Sequence, residues 1–172
     1  MRFLLWLLVV AGAFHSSVAA STIQVQVNTL GPRTFRYTYH LSGFALQVNQ
    51  ELDIHFDPLL YGTLSNGVAS SDFDLILLQP NNPPGFPGDY SALALVNNPS
   101  MAGPFSVDFV YLGLGQPSAP QAYSINQFSE NHNFLGIVAS GVIGVPEPAS
   151  VWLVGLGVLL LLLARRHINN RA

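Results

Sequence analysis

Apolar and polar residues alternate with a period of two in short runs between residues 21 and 144, and this pattern limits the fold more than any other feature. Phe35, Tyr37 and Tyr39, for example, alternate with polar residues. In a β-strand, successive side chains point to opposite faces, so each run places its apolar residues on one face. The pattern predicts antiparallel sheets with one buried and one solvated face.

Residues 21–144 are predicted to form one domain of nine short strands. Turn formers such as Asn66-Gly67 and Pro87-Gly88 separate the strands. The predicted strands are 23–27, 35–40, 44–48, 52–57, 73–79, 92–97, 105–112, 122–128 and 134–139. Many short strands with this spacing favour an all-β fold, a single antiparallel β-sandwich of the jelly-roll or immunoglobulin-like type.

The charge of this predicted domain is negative. It contains two arginines and eight acidic residues, a formal net charge of −6, and the chain has no lysine or cysteine. Nucleic acids and anionic membrane surfaces bind basic surfaces, so we predict that neither is a partner of the domain. Without cysteine, disulfides and thiolate metal sites are excluded.

The N-terminal 20 residues have the composition of a secretory signal peptide. Arg2 precedes an apolar stretch over residues 3–13, and small residues follow at 17–20. We predict cleavage between Ala20 and Ser21, and therefore export of the chain.

Residues 145–172 combine an extended motif, an apolar span and a basic end. The motif consists of Val145, Pro146, Glu147, Pro148, Ala149 and Ser150. The uncharged residues 149–164 predict a transmembrane helix of about 24 Å, short for a hydrocarbon core of about 30 Å. Arg165 and Arg166 form a basic stop, and the positive-inside rule places the C-terminus in the cytoplasm.

This order of segments resembles the bacterial PEP-CTERM sorting signal. The resemblance implies that an exosortase-type transpeptidase acts at Pro146-Glu147-Pro148. It also implies a single-pass protein of the envelope membrane before processing, and a cell-surface or extracellular protein afterwards. Proteins with such tails accompany exopolysaccharide and biofilm systems, so the resemblance implies a matrix or adhesion component with exopolysaccharide as a partner.

Alternative functions are a carbohydrate-binding β-sandwich module, an extracellular hydrolase and an ice-binding protein. Phe86 and Tyr90, in a loop rich in proline and glycine, are candidates to stack on sugar rings or to pin that loop. Glu51 with an aspartate could form a glycosidase pair, but the chain contains no recognisable catalytic motif. We therefore predict that the protein is not an enzyme and has no catalytic residues.

Two groups of acidic residues are candidate metal ligands. Asp53, His55 and Asp57 would share one face of a strand, either as ligands or as a solvated polar face. Asp72 and Asp74 could bind calcium with loop carbonyls, or lie on the polar side of the following strand. We favour the solvated alternative for both groups and predict no metal site and no cofactor.

Overall fold

The computed structural model describes residues 21–118 and 120–144. The predicted signal peptide and its cleavage site after Ala20 lie outside these residues, except for Ser21. The predicted sorting motif over 145–150, the predicted transmembrane helix and the basic stop also lie outside them. Within the described residues there is no helix long and apolar enough to cross a membrane.

The described chain forms nine strands, all in antiparallel pairs. In chain order they are β1 Thr22–Gly31, β2 Thr34–Ser42, β3 Gln50–Phe56, β4 Tyr61–Val68, β5 Phe73–Leu78, β6 Gly88–Ala94, β7 Phe105–Tyr111, β8 Gln121–Phe128 and β9 Phe134–Ile143. Sheet A has the order β1-β2-β7-β4, and sheet B has the order β5-β6-β3-β8-β9. The prediction of an all-β fold with two antiparallel sheets is confirmed.

Aromatic side chains from both sheets fill the core. Tyr37 and Phe109 of sheet A have ring centroids 4.4 Å apart, and Phe56 of sheet B packs edge-on against Tyr61 of sheet A at 5.0 Å. The hydroxyls of the fully buried tyrosines, such as Tyr37 and Tyr39, are hydrogen-bonded, as buried polar groups require. For example, Tyr39 donates to Gln121 Oε1 over 3.0 Å. The alternation in the sequence therefore identified the buried face of β2.

The structure corrects the predicted strand 44–48. This segment forms no strand, although Leu46 is buried and Phe44 packs against the core. Phe44 and Leu46 pack against the core while the backbone of this connection stays outside both sheets, and Val48 is exposed. A connecting segment can therefore imitate the alternation of a strand.

Two other strand predictions differ from the structure. β4 was not predicted, because Asn66-Gly67 resembles a turn, whereas both residues lie inside β4 where its pairing with β7 is irregular. Asn66 has a positive φ of 48°, which asparagine tolerates better than most residues. β6 covers Gly88–Ala94 rather than the predicted 92–97, so the preceding loop ends earlier than expected.

Candidate functional site

Polar side chains from three adjacent strands meet at the centre of the outer face of sheet B. They come from β6, β3 and β8, which lie side by side. We call this group the polar strip; its members are Glu51, Asp53, His55, Asp89, Ser91, Ser124 and Asn126. The residues between them, such as Leu52 and Ile54, point into the core and are fully buried.

Asp53 is the centre of the polar strip. Ser91 Oγ donates to its Oδ1 atom, and Asn126 Nδ2 donates to its Oδ2 atom over 2.5 Å. Only 9% of Asp53 is exposed. This burial raises the pKa of Asp53, although the two hydrogen bonds stabilise the carboxylate and oppose the increase.

His55 connects both neighbouring strands. Its Nδ1 atom lies 2.6 Å from Asp89 Oδ1 on β6, and its Nε2 atom lies 3.4 Å from Ser124 Oγ on β8. The hydrogen bond to Asp89 raises the pKa of His55 and favours the protonated ring, while burial opposes this effect. The order Asp89–His55–Ser124 has the connectivity of a nucleophilic triad.

The surroundings of Ser124 differ from those of a catalytic serine. Ser124 is only 6% exposed and lies in the middle of β8. It is paired with Asp53 in one ladder and with Ser140 in the other, so the backbone at this position is engaged on both sides. A catalytic serine needs donors aimed at the developing oxyanion, and backbone groups committed to ladders cannot supply them.

Glu51 adds a second carboxyl group next to Asp53. Its pKa is raised to about 7, first by burial and then by the nearby carboxylates of Asp53 and Asp89. Both arginines of the described residues bind elsewhere: Arg33 donates to the carbonyls of Tyr111 and Leu112, and Arg36 donates to Asp108. The basic side chain that faces these acids is therefore His55.

A shallow groove of about 610 Å³ lies beside the polar strip, over β8 and β9. One side of the groove is polar, with His55, Ser124 and Asn126. The other side carries apolar residues of β9, among them Phe134 and Ile137, which are 58% and 62% exposed. Hydrogen-bonding groups beside exposed apolar groups suit a ligand that has both hydroxyl groups and apolar faces.

The predicted group of Asp53, His55 and Asp57 is only partly assembled. Asp53 and His55 share the outer face of β3, as predicted, but Asp57 lies beyond the end of the strand. The predicted solvated face is wrong for Asp53, which is buried between Ser91 and Asn126. Its Oδ1 atom accepts the backbone N–H of Leu59 over 2.8 Å and caps the turn. In the part of the chain that the structure describes, no three His, Asp or Glu side chains are arranged to hold a metal ion.

The calcium candidates Asp72 and Asp74 lie at the start of β5. Asp72 Oδ2 accepts the backbone N–H of Ser100 over 2.8 Å. Asp74 is exposed on the outer face of sheet B, while Phe73 points into the core. The absence of calcium binding stays a prediction.

The structure separates the two aromatic residues suggested for sugar stacking. Phe86 is 60% exposed, but Tyr90 is fully buried and donates to the carbonyl of Val68. Of the two alternatives for Tyr90, stacking on a sugar ring is excluded, because β6 begins at Gly88 and places this residue on its core face.

Sequence reasoning did not place Asp89, Ser91 or Ser124 in a common site. A local signal for β6 was present, since Asp89 and Ser91 alternate with the buried residues Tyr90 and Ala92. Beginning the strand at Gly88 would have placed Asp89 and Ser91 on one outer face. The pairing with His55 has no such signal, because it depends on the order of the strands.

Comparison with known proteins identifies the C-terminal segment. A family model described as the PEP-CTERM protein-sorting motif matches residues 144–166, which confirms the resemblance drawn from the sequence. No curated protein matches the chain. Among solved structures, the chain is similar to a cohesin module from a family 33 glycoside hydrolase of Clostridium perfringens, with 10% sequence identity and a TM-score of 0.40. That alignment covers 74% of this chain and 98% of the cohesin module.

The sorting motif implies that the protein is exported, and that an exosortase sorts it with processing at the membrane. The match begins at Gly144, directly after the last residue of β9. The sandwich and the sorting motif are therefore adjacent in the chain.

Proposed function

We propose that the protein is a non-enzymatic component of the cell envelope that acts in adhesion or in an exopolysaccharide matrix. Its sandwich would bind polysaccharide in the groove beside the polar strip. The observation that carries this proposal is the groove itself, where hydrogen-bonding side chains face exposed apolar side chains of β9. β9 leads directly into the sorting motif, so sorting at the membrane would display this groove at the cell surface.

The charge of the polar strip indicates which polysaccharide fits. Glu51, Asp53 and Asp89 are acidic, and the basic group among them is His55. Carboxylates accept hydrogen bonds from sugar hydroxyls, and amide and hydroxyl groups both accept and donate them. A polymer of uronic acids would be repelled by the acidic side chains. A neutral polysaccharide or an amino-sugar polymer is therefore the favoured ligand.

The geometry of the polar strip supports a binding role over hydrolysis. The carboxylate oxygens of Asp53 already accept hydrogen bonds from Ser91 and Asn126. Ser124 is buried in a strand that is paired on both sides. A general acid or nucleophile has to reach the substrate, and these groups are engaged within the sheet.

Affinity electrophoresis would test the binding proposal, with gels that contain a neutral glucan, chitosan or alginate. We expect the glucan or chitosan to retard the protein and alginate to leave its mobility unchanged. Ser140→Trp would fill the groove at an exposed position and should abolish the retardation. Gln26→Trp is the matched control, because Gln26 is exposed on β1 of the opposite sheet and should not affect binding.

Equal retardation of the parent protein and the Ser140→Trp variant would refute binding in this groove. Hydrolysis of an ester or a glycan that is lost in Ser124→Ala or Asp53→Asn would refute the non-enzymatic role.

The route to the surface forms the second part of the proposal. Cleavage after Ala20, a membrane span over 149–164 and a cytoplasmic C-terminus beyond Arg165 and Arg166 would leave the sandwich outside the membrane. A reporter fused after Ala172 should be cytoplasmic, and a reporter inserted at Pro83 should be periplasmic. Replacing Pro146, Glu147 and Pro148 with alanine should block processing in a host with an exosortase. An unchanged mature mass in that variant would contradict the proposed cleavage.

A further inference from the structure

β9 lies at the edge of sheet B, whereas the strands at the centre of the sheet are paired on both sides. Among residues 21–118 and 120–144, its ladder partner is β8, and no ladder joins its other edge to β1, which lies nearby. Its large apolar side chains are exposed; Phe134, Leu135, Ile137, Val138 and Val142 are 58%, 65%, 62%, 58% and 67% exposed. An open edge with apolar side chains is a template for pairing with another strand.

The sequence of β9 lacks the usual features that prevent edge pairing. Its ten residues include no charged residue and no proline. Two irregularities interrupt its pairing with β8 in the first half of the strand, and such bulges bend an edge away from partners. From Ala139 to Ile143 the ladder is regular, so this half of β9 is suited to pairing.

The exposed groups of β9 indicate the kind of partner. A lipid surface can cover one face of a strand, but it offers no hydrogen bonds to the open backbone edge. A second β-strand pairs with that edge and places side chains beside β9 on both faces. The partner that fits all the exposed groups is therefore another strand.

Charge and tethering favour a second copy of the same chain as that partner. Residues 21–144 carry a formal net charge of −6, so two copies repel each other over most of their surface, whereas β9 is uncharged. The sorting motif begins at Gly144, and processing at the membrane holds copies in one plane with β9 next to the tether. Confinement of this kind raises the effective concentration of one β9 around another.

We propose that β9 pairs with β9 of a second copy while the chains are held in the membrane. This inference uses the sorting motif and the open edge, and it does not depend on polysaccharide binding. The pairing would join two B sheets edge to edge over Ala139 to Ile143 and leave the groove on the outer face of each sheet open.

Cross-linking of the full-length chain tests the proposal. The chain has no cysteine, so Ala139→Cys introduces a single thiol near the middle of β9. In antiparallel pairing over Ala139 to Ile143 the two introduced thiols lie about 14 Å apart along the strands. A bismaleimide of that span, added to membranes, should therefore give a covalent dimer as the main product. Leu59→Cys is the matched control, because Leu59 is 82% exposed in the turn between β3 and β4 and should stay monomeric.

Equal dimer yields from both thiols would mean random collision and would overturn the proposal. An introduced thiol at position 139 that membranes shield from labelling, without any dimer, would place β9 against lipid and would also overturn it.

Charge insertion provides an independent test. Val142→Lys, combined with Ala139→Cys, should lower the dimer yield about tenfold, because antiparallel pairing of the regular half would bring two lysines close together. Ile76→Lys is the matched control, since Ile76 is 53% exposed on β5 at the opposite edge of sheet B. The control should leave the dimer yield unchanged.

A dimer that survives Val142→Lys but disappears with Ile76→Lys would place the contact on β5 and refute pairing through β9. Thermal unfolding should confirm that both lysine variants fold. If Val142→Lys does not fold, Ser140→Lys carries the same test at another exposed position of the regular half.

Discussion

The acidic side chains on the outer faces of the two sheets have different partners. On sheet A, Arg36 and Asp108 are direct cross-strand partners, and two hydrogen bonds of 2.5 and 2.9 Å join their side chains. Asn66 Nδ2 donates a third hydrogen bond to Asp108 over 2.9 Å. On sheet B, Glu51, Asp53 and Asp89 surround His55 without an arginine.

The shifts in pKa follow this difference. The hydrogen bond from Arg36 lowers the pKa of Asp108, so its carboxylate is stabilised by folding. Burial raises the pKa values of Glu51 and Asp53, so folding favours their protonated forms. The charged pair on sheet A therefore contributes to stability. On sheet B, the ionised acids lower the free energy of unfolding, and a bound ligand could reduce this loss.

Removing the arginine of sheet A should give the largest change in stability. Arg36→Ala leaves the buried Asp108 carboxylate with Asn66 as its remaining side-chain donor, and we expect a clear loss of stability at pH 7. The pKa of Asp108 is lowered from 3.8, so the pair stabilises the fold above this pH and loses its effect as the pH falls through the lowered value. Urea unfolding at pH 7 and at pH 3 measures the difference.

Arg36→Lys is the matched control for this prediction. Lysine keeps the charge but cannot form the two-pronged hydrogen bond, so an intermediate loss is expected. If Arg36→Ala were equally destabilising at both pH values, packing of the arginine stem rather than the ion pair would explain its contribution.

On sheet B, removal of a charge should have the opposite sign. The pKa of Glu51 is raised from 4.5 to about 7, so its contribution to stability is present below pH 4.5 and is lost as the pH rises through about 7. Glu51→Gln stays neutral, and after allowance for solvent screening it should be more stable than the parent by on the order of 1 kcal/mol at pH 8. At pH 4 the two proteins should unfold at the same urea concentration.

Glu130→Gln controls for a general effect of net charge, because Glu130 is exposed in the β8–β9 turn. This variant should match the parent at both pH values. If Glu51→Gln were less stable than the parent at pH 8, the contrast between the two sheets would be wrong.

The comparison also shows which features of the fold the sequence could reveal. The period of two is a local signal, so it correctly placed Tyr37 and Tyr39 in the core and Asp53 and His55 on one outer face. The signal failed in the connection 44–48, where Leu46 is buried although the segment joins no ladder, and in β4, where Asn66 lies within an irregular strand.

The polar strip itself depends on long-range pairing. His55 meets Asp89 at a sequence separation of 34 residues and Ser124 at a separation of 69 residues. Alternation assigns a face to each residue but carries no information on which strands are neighbours. Sequence reasoning could therefore supply separate polar faces, and the strand order of sheet B was needed to join them.

The smallest expected effect is that of calcium, and it tests whether a metal ion balances the acids of sheet B. Asp74 lies on the outer face of this sheet, and Asp72 precedes it. Because Asp72 already accepts a hydrogen bond from Ser100, and Asp74 points to solvent from a strand, we expect the same melting temperature in calcium and in chelator. A ligand that binds only the folded state must raise the melting temperature. A saturable rise that disappears in the double variant Asp72→Ala, Asp74→Ala would contradict this prediction, because an ion would then provide the charge balance that Arg36 provides on sheet A.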